Sequence, residues 1–316
     1  MANCGIANRK IPRKLHNVEY RINHIMTQMI GFLGTGRMAS AMIIRSLEQG
    51  YAVQVWNRST AKTEPLVALG AKACATPADA VRNADIVISF MADDSGAEAV
   101  WLGVDGALSA MKPETLAIEC STLSHGFVLE LSAKITAAGC AYIDAPVTGV
   151  PADIQAGNTV FLIGADNAVL DRARPFMNAV GKQIVHFGPI GSGTVYKLMH
   201  NLLGAVHIAA AAELVAVAQK AGLDGDLVAE TFANGANASM SGNITVPGMV
   251  SGNHHEGIHF TTGLRAKDAS YAMQLATDMG MSLPVGRAAS DVFTKATSDG
   301  FGDLAQSAVI ETLKTN

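Results

Sequence analysis

Residues 193–222 read GTVYKLMHNLLGAVHIAAAAELVAVAQKAG, and this stretch determines how the rest of the chain is organised. No proline interrupts it, glycine stands at both ends, and Ala and Leu are frequent inside it, a composition that favours helix. A continuous helix of this length spans about 45 Å, too long for one small layer, so it predicts a strut between two domains. Residues 198–212 carry no formal charge, so most of the helix circumference should be buried. We expect the run to be too short and too polar for a membrane span.

The charge at the start of this helix, Lys197, shares a face with Asn201 one turn later.

Upstream of the strut, residues 29–39 join a short apolar run to a glycine motif, MIGFLGTGRMA. The motif has the form G-x-G-x-x-A and lies between a predicted strand and a predicted helix. Gly34 permits the tight turn, Gly36 lets the backbone approach a pyrophosphate, and Ala39 allows close packing of helix on strand. The helix N-terminus then faces the phosphates. The candidate cofactor-binding residues of this segment are Phe32, Leu33, Gly34, Thr35, Gly36, Arg37 and Met38.

A second apolar strand is predicted over residues 52–56, at the spacing of a βαβ unit, and it is followed by Asn57, Arg58 and Ser59. An NAD-binding unit usually places Asp or Glu at this point to hold the ribose 2′-hydroxyl. The neutral Asn57 would not repel a 2′-phosphate, and the Arg58 guanidinium is available to bind one. The pattern therefore predicts NADP as the preferred cofactor, with NAD possible.

The alternation of strands and helices continues to about residue 192. Strands are predicted over residues 85–91, 116–119, 140–145, 158–163 and 183–186, which indicates an α/β fold with a Rossmann-type, doubly wound parallel sheet. Ligands of such sheets bind beyond the carboxyl ends of the strands. This rule brings the residues that follow several strands to one crevice: Gly34 to Met38, then Met91 and Ala92, then Thr122, then Thr148 and Gly149.

After the strut the strand pattern is lost, so residues 223–316 are expected to form an all-helical C-terminal domain for substrate binding and oligomerisation. Helices are predicted over residues 226–234, 264–279, 285–299 and 303–314, with a Gly-, Asn- and Ser-rich loop over 235–262 in which a short helix stays open. His254, His255 and His259 cluster in that loop, but Glu256 is the one nearby acidic partner, so we expect no metal site. The predicted organisation is an extension (1–28), a dinucleotide-binding domain (29–192), the interdomain helix (193–222) and the helical domain.

The composition of the 316 residues narrows the class of protein. A net charge of −4 argues against nucleic acid as a partner, and the four cysteines show no close pairing, which is typical of reduced thiols in a cytoplasmic protein. Residues 1–28 are basic and lack an apolar core, so a secretory signal is not expected. A transit peptide, a disordered arm or a translation start at Met26 or Met29 remain open for this segment.

Five motifs in order carry a resemblance to a known family: GFLGTGRM, IECSTLS, DAPVTG, GTVYKLMHN and AKDASYAMQLA. Together they resemble the β-hydroxyacid dehydrogenases, relatives of 3-hydroxyisobutyrate dehydrogenase and tartronate semialdehyde reductase, over about residues 29–308. The resemblance implies reversible NAD(P)-dependent oxidation of a small 3-hydroxy acid to its semialdehyde, with the hydroxy acid or semialdehyde as the molecular partner.

The resemblance also implies roles for particular residues. Thr122 would lie beside the nicotinamide ribose and the substrate, Thr148 and Gly149 would hold the substrate carboxylate, and Asn201 would orient the substrate. Lys197 would be the catalytic acid/base and Lys267 would contact the cofactor. The chemistry agrees, because removal of a hydride from a carbinol carbon requires removal of the hydroxyl proton. A Lys amine takes that proton at neutral pH once burial and nearby positive charge lower its pKa.

The chain departs from the family pattern at His125, Val150 and Asp153, where the family usually has Pro, Gly and Gly. Val150 adds bulk before Pro151, so the carboxylate loop is expected to be reshaped. The Lys-x-x-His-Asn run also resembles 6-phosphogluconate dehydrogenase, but Gly204 stands where that enzyme has Glu, and the chain is too short for its helical domain.

Two alternatives stay open: an imine reductase-like NADPH enzyme, and a cofactor-binding protein without turnover. The small side chains of residues 209–212 suggest a homodimer or homotetramer formed through helices, and no nucleic acid or membrane partner is expected.

Overall fold

The computed structural model describes residues 28–314. Residues 1–27 of the basic segment, predicted to be an extension, lie outside the described residues, as do residues 315 and 316. Nine strands in the described chain form one sheet in the order β3-β2-β1-β4-β5-β6-β8-β7, with β9 on β8. Their bounds are β1 Met29–Leu33, β2 Ala52–Trp56, β3 Lys72–Ala73, β4 Ile86–Ser89, β5 Leu116–Glu119, β6 Ala141–Asp144, β7 Val147–Thr148, β8 Thr159–Gly164 and β9 Gly181–Gly188.

Strands β1 to β6 are parallel and confirm the predicted Rossmann-type sheet. Their order reverses between β1 and β4, the point at which doubly wound sheets open a crevice for a ligand. The expectation of a parallel sheet throughout is wrong at the far edge, where β8 runs antiparallel to β6 and β7. The reason is that residues 149–158, which join β7 to β8, are too few for the crossover that a parallel connection needs.

Helices cover the sheet and build the C-terminal part of the chain. Their bounds are α1 Arg37–Glu48, α2 Glu64–Val67, α3 Pro77–Val81, α4 Asp94–Leu102, α5 His125–Ala137, α6 Pro151–Gln155, α7 Asn167–Val180, α8 Ser192–Lys220, α9 Gly225–Asn234, α10 Met240–Ser251, α11 Thr262–Asp278, α12 Pro284–Ala296 and α13 Glu311–Lys314. Short 3₁₀ turns lie at Thr60–Thr63, Ala107–Ala110 and Gln306–Ile310, and a π turn at Thr297–Phe301.

Helix α8 is the predicted strut, and its N-terminus is anchored in the sheet by Asp144 at the end of β6. The Asp144 carboxylate accepts hydrogen bonds from the backbone N–H groups of Gly191 (2.6 Å) and Thr194 (2.8 Å) and from the Thr194 hydroxyl (3.0 Å). These donors belong to a helix N-terminus that lacks intrahelical partners, so one carboxylate satisfies several of them. A Cβ at Gly193 would stand 2.2 Å from the Leu162 carbonyl oxygen, so glycine is required for this close approach.

The rest of α8 packs in the core of the helical region, against α10, α11 and α12. Ala211 and Ala212 lie in this core and Ala210 is exposed, so half of the segment 209–212 proposed from sequence for oligomerisation is interior. By length and mean hydropathy α8 would suffice to cross a membrane, contrary to the expectation that it is too short and too polar. More than half of its most apolar window is buried inside the protein, as in the core helix of a globular domain.

Two C-terminal segments need comment against the sequence. Helix α10 is the helix left open in the predicted loop: the Ser239 hydroxyl caps its start by accepting from Gly242 N–H at 3.0 Å, and Gly242 leaves room for the Phe232 ring. Glycine and Pro247 lower helix propensity, so packing rather than local preference forms this helix. The helix predicted over 303–314 is instead the Gln306–Ile310 3₁₀ turn followed by α13.

Candidate active site

The glycine loop after β1 is shaped to hold a phosphate group. Gly34 has φ +93°, and a Cβ there would stand 2.5 Å from the Phe90 carbonyl oxygen. Gly36 precedes α1 and faces open space, since a Cβ would meet nothing within 4 Å. The Thr35 hydroxyl is buried and lacks a hydrogen-bond partner within the described chain. An orphaned hydroxyl, an open glycine and a helix N-terminus fit the pyrophosphate of a dinucleotide.

A cavity of about 430 Å³ opens in front of this loop. Besides the loop residues Thr35, Gly36 and Arg37, the side chains of Ser40, Lys62 and Gln155 line it. Lys62 was not singled out by sequence reasoning, because a lysine in a short helical turn carries no signal of its own. Its position in the cavity places a second cation on the side where Arg58 follows β2.

Asn57 connects the end of β2 to the glycine loop. Its Oδ1 accepts a hydrogen bond from the Thr35 N–H at 3.1 Å, and its Nδ2 donates to the Ser59 carbonyl at 2.9 Å. Arg58 and Ser59 are exposed beside it. A carboxylate is thus absent from the end of β2, as the sequence indicated, while the Asn57 side chain fixes the turn that presents Arg58.

The residues after β4 and β5 are held in register by a buried carboxylate that sequence reasoning missed. Glu119 accepts from Trp101 Nε1 at 2.7 Å, from the Ser121 N–H at 2.9 Å and from the Ser121 hydroxyl. The Ser121 hydroxyl in turn accepts from the Met91 N–H at 2.6 Å. Burial raises the pKa of Glu119. This chain of contacts fixes the loops that carry Met91 and Thr122, two predicted cofactor-binding positions.

Lys267 reaches across the crevice from α11 to these same two loops. Its ammonium donates to the carbonyls of Ala92 (2.7 Å) and Thr122 (2.6 Å). It also lies 3.0 Å from Asp268 Oδ1, an ion pair without good hydrogen-bond geometry. The structure therefore brings Lys267 to the predicted cofactor side, where two of its three N–H groups hold the strand ends and the third is left for a cofactor.

Arg37 makes a further link between the two halves of the molecule. Its guanidinium donates to the carbonyls of Ile258 and, at 3.2 Å, His259, in the segment between α10 and α11. The phosphate loop is therefore tied directly to the helical region. Phe32 and Leu33, also predicted to bind cofactor, have fully buried side chains, so only their backbone is available for that purpose, and the Met38 side chain is partly buried against the core.

Lys197 lies half-buried on the first turns of α8, where its amine donates to the Val147 carbonyl in β7 at 2.8 Å. The pKa of Lys197 is lowered to about 8, mainly by burial; Asp268 raises it, and the charges of Arg265 and Lys267 lower it. Part of this amine is therefore neutral at physiological pH, as a general base requires. Asn201, one turn on, donates from Nδ2 to Asp268 Oδ2 at 2.5 Å, so its amide is oriented.

The predicted carboxylate loop follows β7, next to the Val147 carbonyl that holds Lys197. Gly149 has φ +116°, a conformation that favours glycine. Asp153 accepts from the Val150 N–H at 3.0 Å and caps α6, so this departure from the family pattern fixes the loop. His125 packs over the turn before α8, where a Cβ at Gly191 would stand 2.7 Å from its Nε2. Thr148 and Gly149 thus lie on the same edge of the sheet as Lys197, in a capped, defined turn.

The histidines of the predicted loop do not form a group of three or more candidate metal ligands, and no such group is found elsewhere in the described part of the chain. His254 is buried and lies 2.9 Å from the Ser307 hydroxyl and 3.0 Å from Glu311. It therefore joins the C-terminal segment to the loop after α10.

Comparisons with known proteins agree with this geometry. Residues 29–188 match the family described as the NAD binding domain of 6-phosphogluconate dehydrogenase. Residues 191–313 match that described as the NAD-binding region of NADP-dependent 3-hydroxyisobutyrate dehydrogenase. The chain is 32% identical to the chloroplastic glyoxylate/succinic semialdehyde reductase 2 of Arabidopsis thaliana, over 91% of this chain and 80% of the relative.

It is also 33% identical to the NAD-dependent L-serine dehydrogenase of Pseudomonas aeruginosa, over 87% of this chain and 94% of the relative. The crystal structure of 3-hydroxyisobutyrate dehydrogenase from Salmonella typhimurium superposes with a TM-score of 0.83 at 26% identity, over 90% of this chain and 99% of that one. The chain thus belongs to the β-hydroxyacid dehydrogenase family and is an NAD(P)-dependent oxidoreductase that acts on hydroxy acids.

Proposed function

We propose that this protein is an NADP-preferring enzyme that interconverts a small 3-hydroxy acid and its semialdehyde, with Lys197 as the acid/base. The observation that carries the proposal is the Lys197 amine, held on the Val147 carbonyl with a pKa lowered to about 8. Relatives named for semialdehyde reduction and for L-serine oxidation support this substrate class.

A nicotinamide cofactor held at the phosphate loop and the strand ends would supply the hydride chemistry of the proposed reaction. Neutral Lys197 takes the proton of the substrate hydroxyl during oxidation and returns it to the carbonyl oxygen during reduction. Asn201, oriented by Asp268, holds the reacting oxygen near that amine. The Thr148 hydroxyl and the Gly149 N–H bind the substrate carboxylate from the neighbouring loop, and Thr122 closes the site on the cofactor side.

The proposed preference for NADP rests on three features near the end of β2. Asn57 is neutral and already bonded to Thr35 and Ser59, so no carboxylate opposes a 2′-phosphate. Arg58 is exposed beside it, and Lys62 lines the cavity in front of the phosphate loop. The charge of Asp93 acts on Arg58, but Asp93 does not stand at the end of β2, where a carboxylate would oppose the 2′-phosphate, so the two cations favour the more highly charged cofactor.

A homo-oligomer is proposed on different grounds from those of the sequence. One face of α8 exposes apolar side chains at helical spacing, namely Tyr196, Met199, Leu203, Leu214 and Val217. Faces of this kind are covered in assemblies of identical chains. A cytoplasmic location is likewise proposed, from Cys74, Cys120 and Cys140, which are free thiols in the structure.

The test is a panel of short 3-hydroxy acids and semialdehydes, assayed with NADP(H) and with NAD(H), on the unaltered protein and on Lys197→Ala. Turnover of a panel member that falls by about 10²–10⁴ in Lys197→Ala, with NADPH affinity retained, is the expected result. A cyclic imine in the same panel tests the imine reductase alternative. Melting temperatures that rise with NADPH while no compound is turned over would instead show a binding protein without catalysis.

A further inference from the structure

Arg265, on α11, is a buried cation that none of the roles described above uses. Only 8% of its surface is exposed. Its Nε and Nη2 donate to Gln306 Oε1 at 3.0 and 2.8 Å, and its Nη1 donates to the Asn201 carbonyl oxygen at 2.9 Å. The Phe260 ring covers the guanidinium at 4.5 Å from the ring centroid. A buried charge requires such a set of partners, because removal from water is otherwise costly.

The space that Arg265 occupies exists because residue 204 is glycine. Gly204 is buried on α8, and a Cβ there would lie 3.0 Å from Arg265 Nη1. The guanidinium can therefore approach the backbone of α8 one turn beyond Asn201. It thus lies against the segment of helix that carries both proposed reacting residues, Lys197 and Asn201.

The charges around Lys197 come from two elements. Helix α11 contributes Arg265, Lys267 and Asp268, and α8 contributes His200. Strand β7 contributes the Val147 carbonyl. Asp268 and Lys267 form an ion pair with each other, whereas Arg265 is bonded to neutral partners, the Gln306 amide and a backbone carbonyl. The charge of Asp268 also acts on Arg265, but no carboxylate is among the hydrogen-bond partners of the guanidinium. Burial lowers the pKa of Arg265 to about 10, which leaves it cationic at neutral pH.

We infer that Arg265, held by Gln306, is a positioning residue of the active site: it fixes the Asn201 turn, and its positive charge adds to the burial that keeps Lys197 competent as a base. The role of Arg265 in catalysis rests on the proposed function. Its effect on the protonation of Lys197 does not depend on which reaction the protein catalyses. Arg265 touches the Asn201 backbone and acts on the reaction through Asn201 and Lys197.

The experiment compares Arg265→Met, which removes the charge, with Arg265→Lys, which keeps a charge but loses the three-bond fork. Arg287→Met is the matched control, because it removes an exposed cation from the neighbouring helix α12. Two readouts are taken: the pH profile of kcat for alcohol oxidation, and the ¹³Cε NMR titration of Lys197, assigned by the signal lost in Lys197→Met. The second readout needs no substrate, so it distinguishes failure of this inference from failure of the proposed function.

Arg265→Met should move the titration of Lys197, and the limb of the pH profile, upward by about one pH unit, the effect of a nearby unit charge at an effective dielectric constant of about 20. Arg265→Lys should leave the titration nearly in place but lower kcat by about tenfold or more, since Asn201 loses its fixed carbonyl contact. Arg287→Met should change neither readout.

Should Arg265→Met fail to fold, Gln306→Glu provides the same test, because a carboxylate against the guanidinium neutralises its charge without removing the side chain. It should raise the titration of Lys197, whereas Gln306→Leu should not. A Lys197 titration that stays within about 0.2 pH units in both Arg265→Met and Gln306→Glu would overturn the inference.

Discussion

Replacing Lys197 with Met should stabilise the folded protein at neutral pH, although it removes the proposed acid/base. Burial holds the pKa of this amine at about 8, below its ordinary value of 10.5. The unfolded chain therefore binds the Lys197 proton more tightly than the folded protein does, and protonation opposes folding. That penalty is fully present below about pH 8 and disappears as pH rises towards about 10.5.

The size of the effect follows from two opposing contributions. A fall in pKa from 10.5 to about 8 corresponds to about 3 kcal/mol of destabilisation at neutral pH, which methionine avoids. Methionine also loses the hydrogen bond to the Val147 carbonyl, which is worth about 1 kcal/mol. The methionine side chain fills a volume similar to that of the lysine stem, so little packing is lost. The free energy of unfolding should therefore rise by about 2 kcal/mol at about pH 7. At about pH 10.5 only the loss of about 1 kcal/mol should remain.

The assay is urea denaturation of Lys197→Met and the unaltered protein at several values between about pH 7 and about pH 10, with NADP absent. The exposed Lys182, replaced in the same way, is the control for loss of a lysine charge, and its effect should not vary across this range. A stability difference for Lys197→Met that is constant across the range, or a variant less stable than the parent at neutral pH, would refute the reasoning.

Three further outcomes are expected. Arg58→Ala should reduce the preference for NADP over NAD, measured as the ratio of kcat/KM values, by at least about tenfold, or about 1.4 kcal/mol; an unaltered ratio would remove Arg58 from 2′-phosphate recognition. Asp144→Ala should lower stability by about 3 kcal/mol, because it leaves the Gly191 and Thr194 N–H groups unsatisfied, whereas Asp144→Asn, which retains one acceptor oxygen, should cost less in the same denaturation assay. Lys267→Ala should weaken NADPH binding in titration calorimetry more than it shifts the pH profile, since its bonds hold Ala92 and Thr122; the opposite pattern would make Lys267 the base.

The sequence was sufficient for most of the sheet because strands follow local rules. The order of apolar runs predicts β1, β2, β4, β5, β6, β8 and β9, whereas the two-residue strands β3 and β7 are too short to give such a run. The sequence was also sufficient for α8, whose length and composition leave few alternatives to a helix.

What could not be predicted depends on contacts between distant segments. The Asp144 carboxylate caps a helix about fifty residues away, and Arg265 finds Gln306 in the C-terminal segment. A single buried Asp or Arg in a sequence carries no indication of its partner. The bounds of α10 could not be predicted for a related reason, because its glycines are unfavourable for helix locally and Gly242 is required by the packing of Phe232.

The position of α8 has a consequence for how the molecule unfolds and how it can be divided. Its first turn is bonded to Asp144 in the sheet, and its later turns, from Leu198 to Val215, form the centre of the helical core. Unfolding of the sheet or of the helical core would remove contacts of the same helix. Both parts of the molecule should therefore melt in a single transition rather than one after the other. A sheet fragment that ends after α8 would expose the apolar surface of that helix to water, and one that ends before α8 would lack the helix altogether. The dinucleotide-binding part is thus not an autonomous module that could be transplanted to another protein by itself.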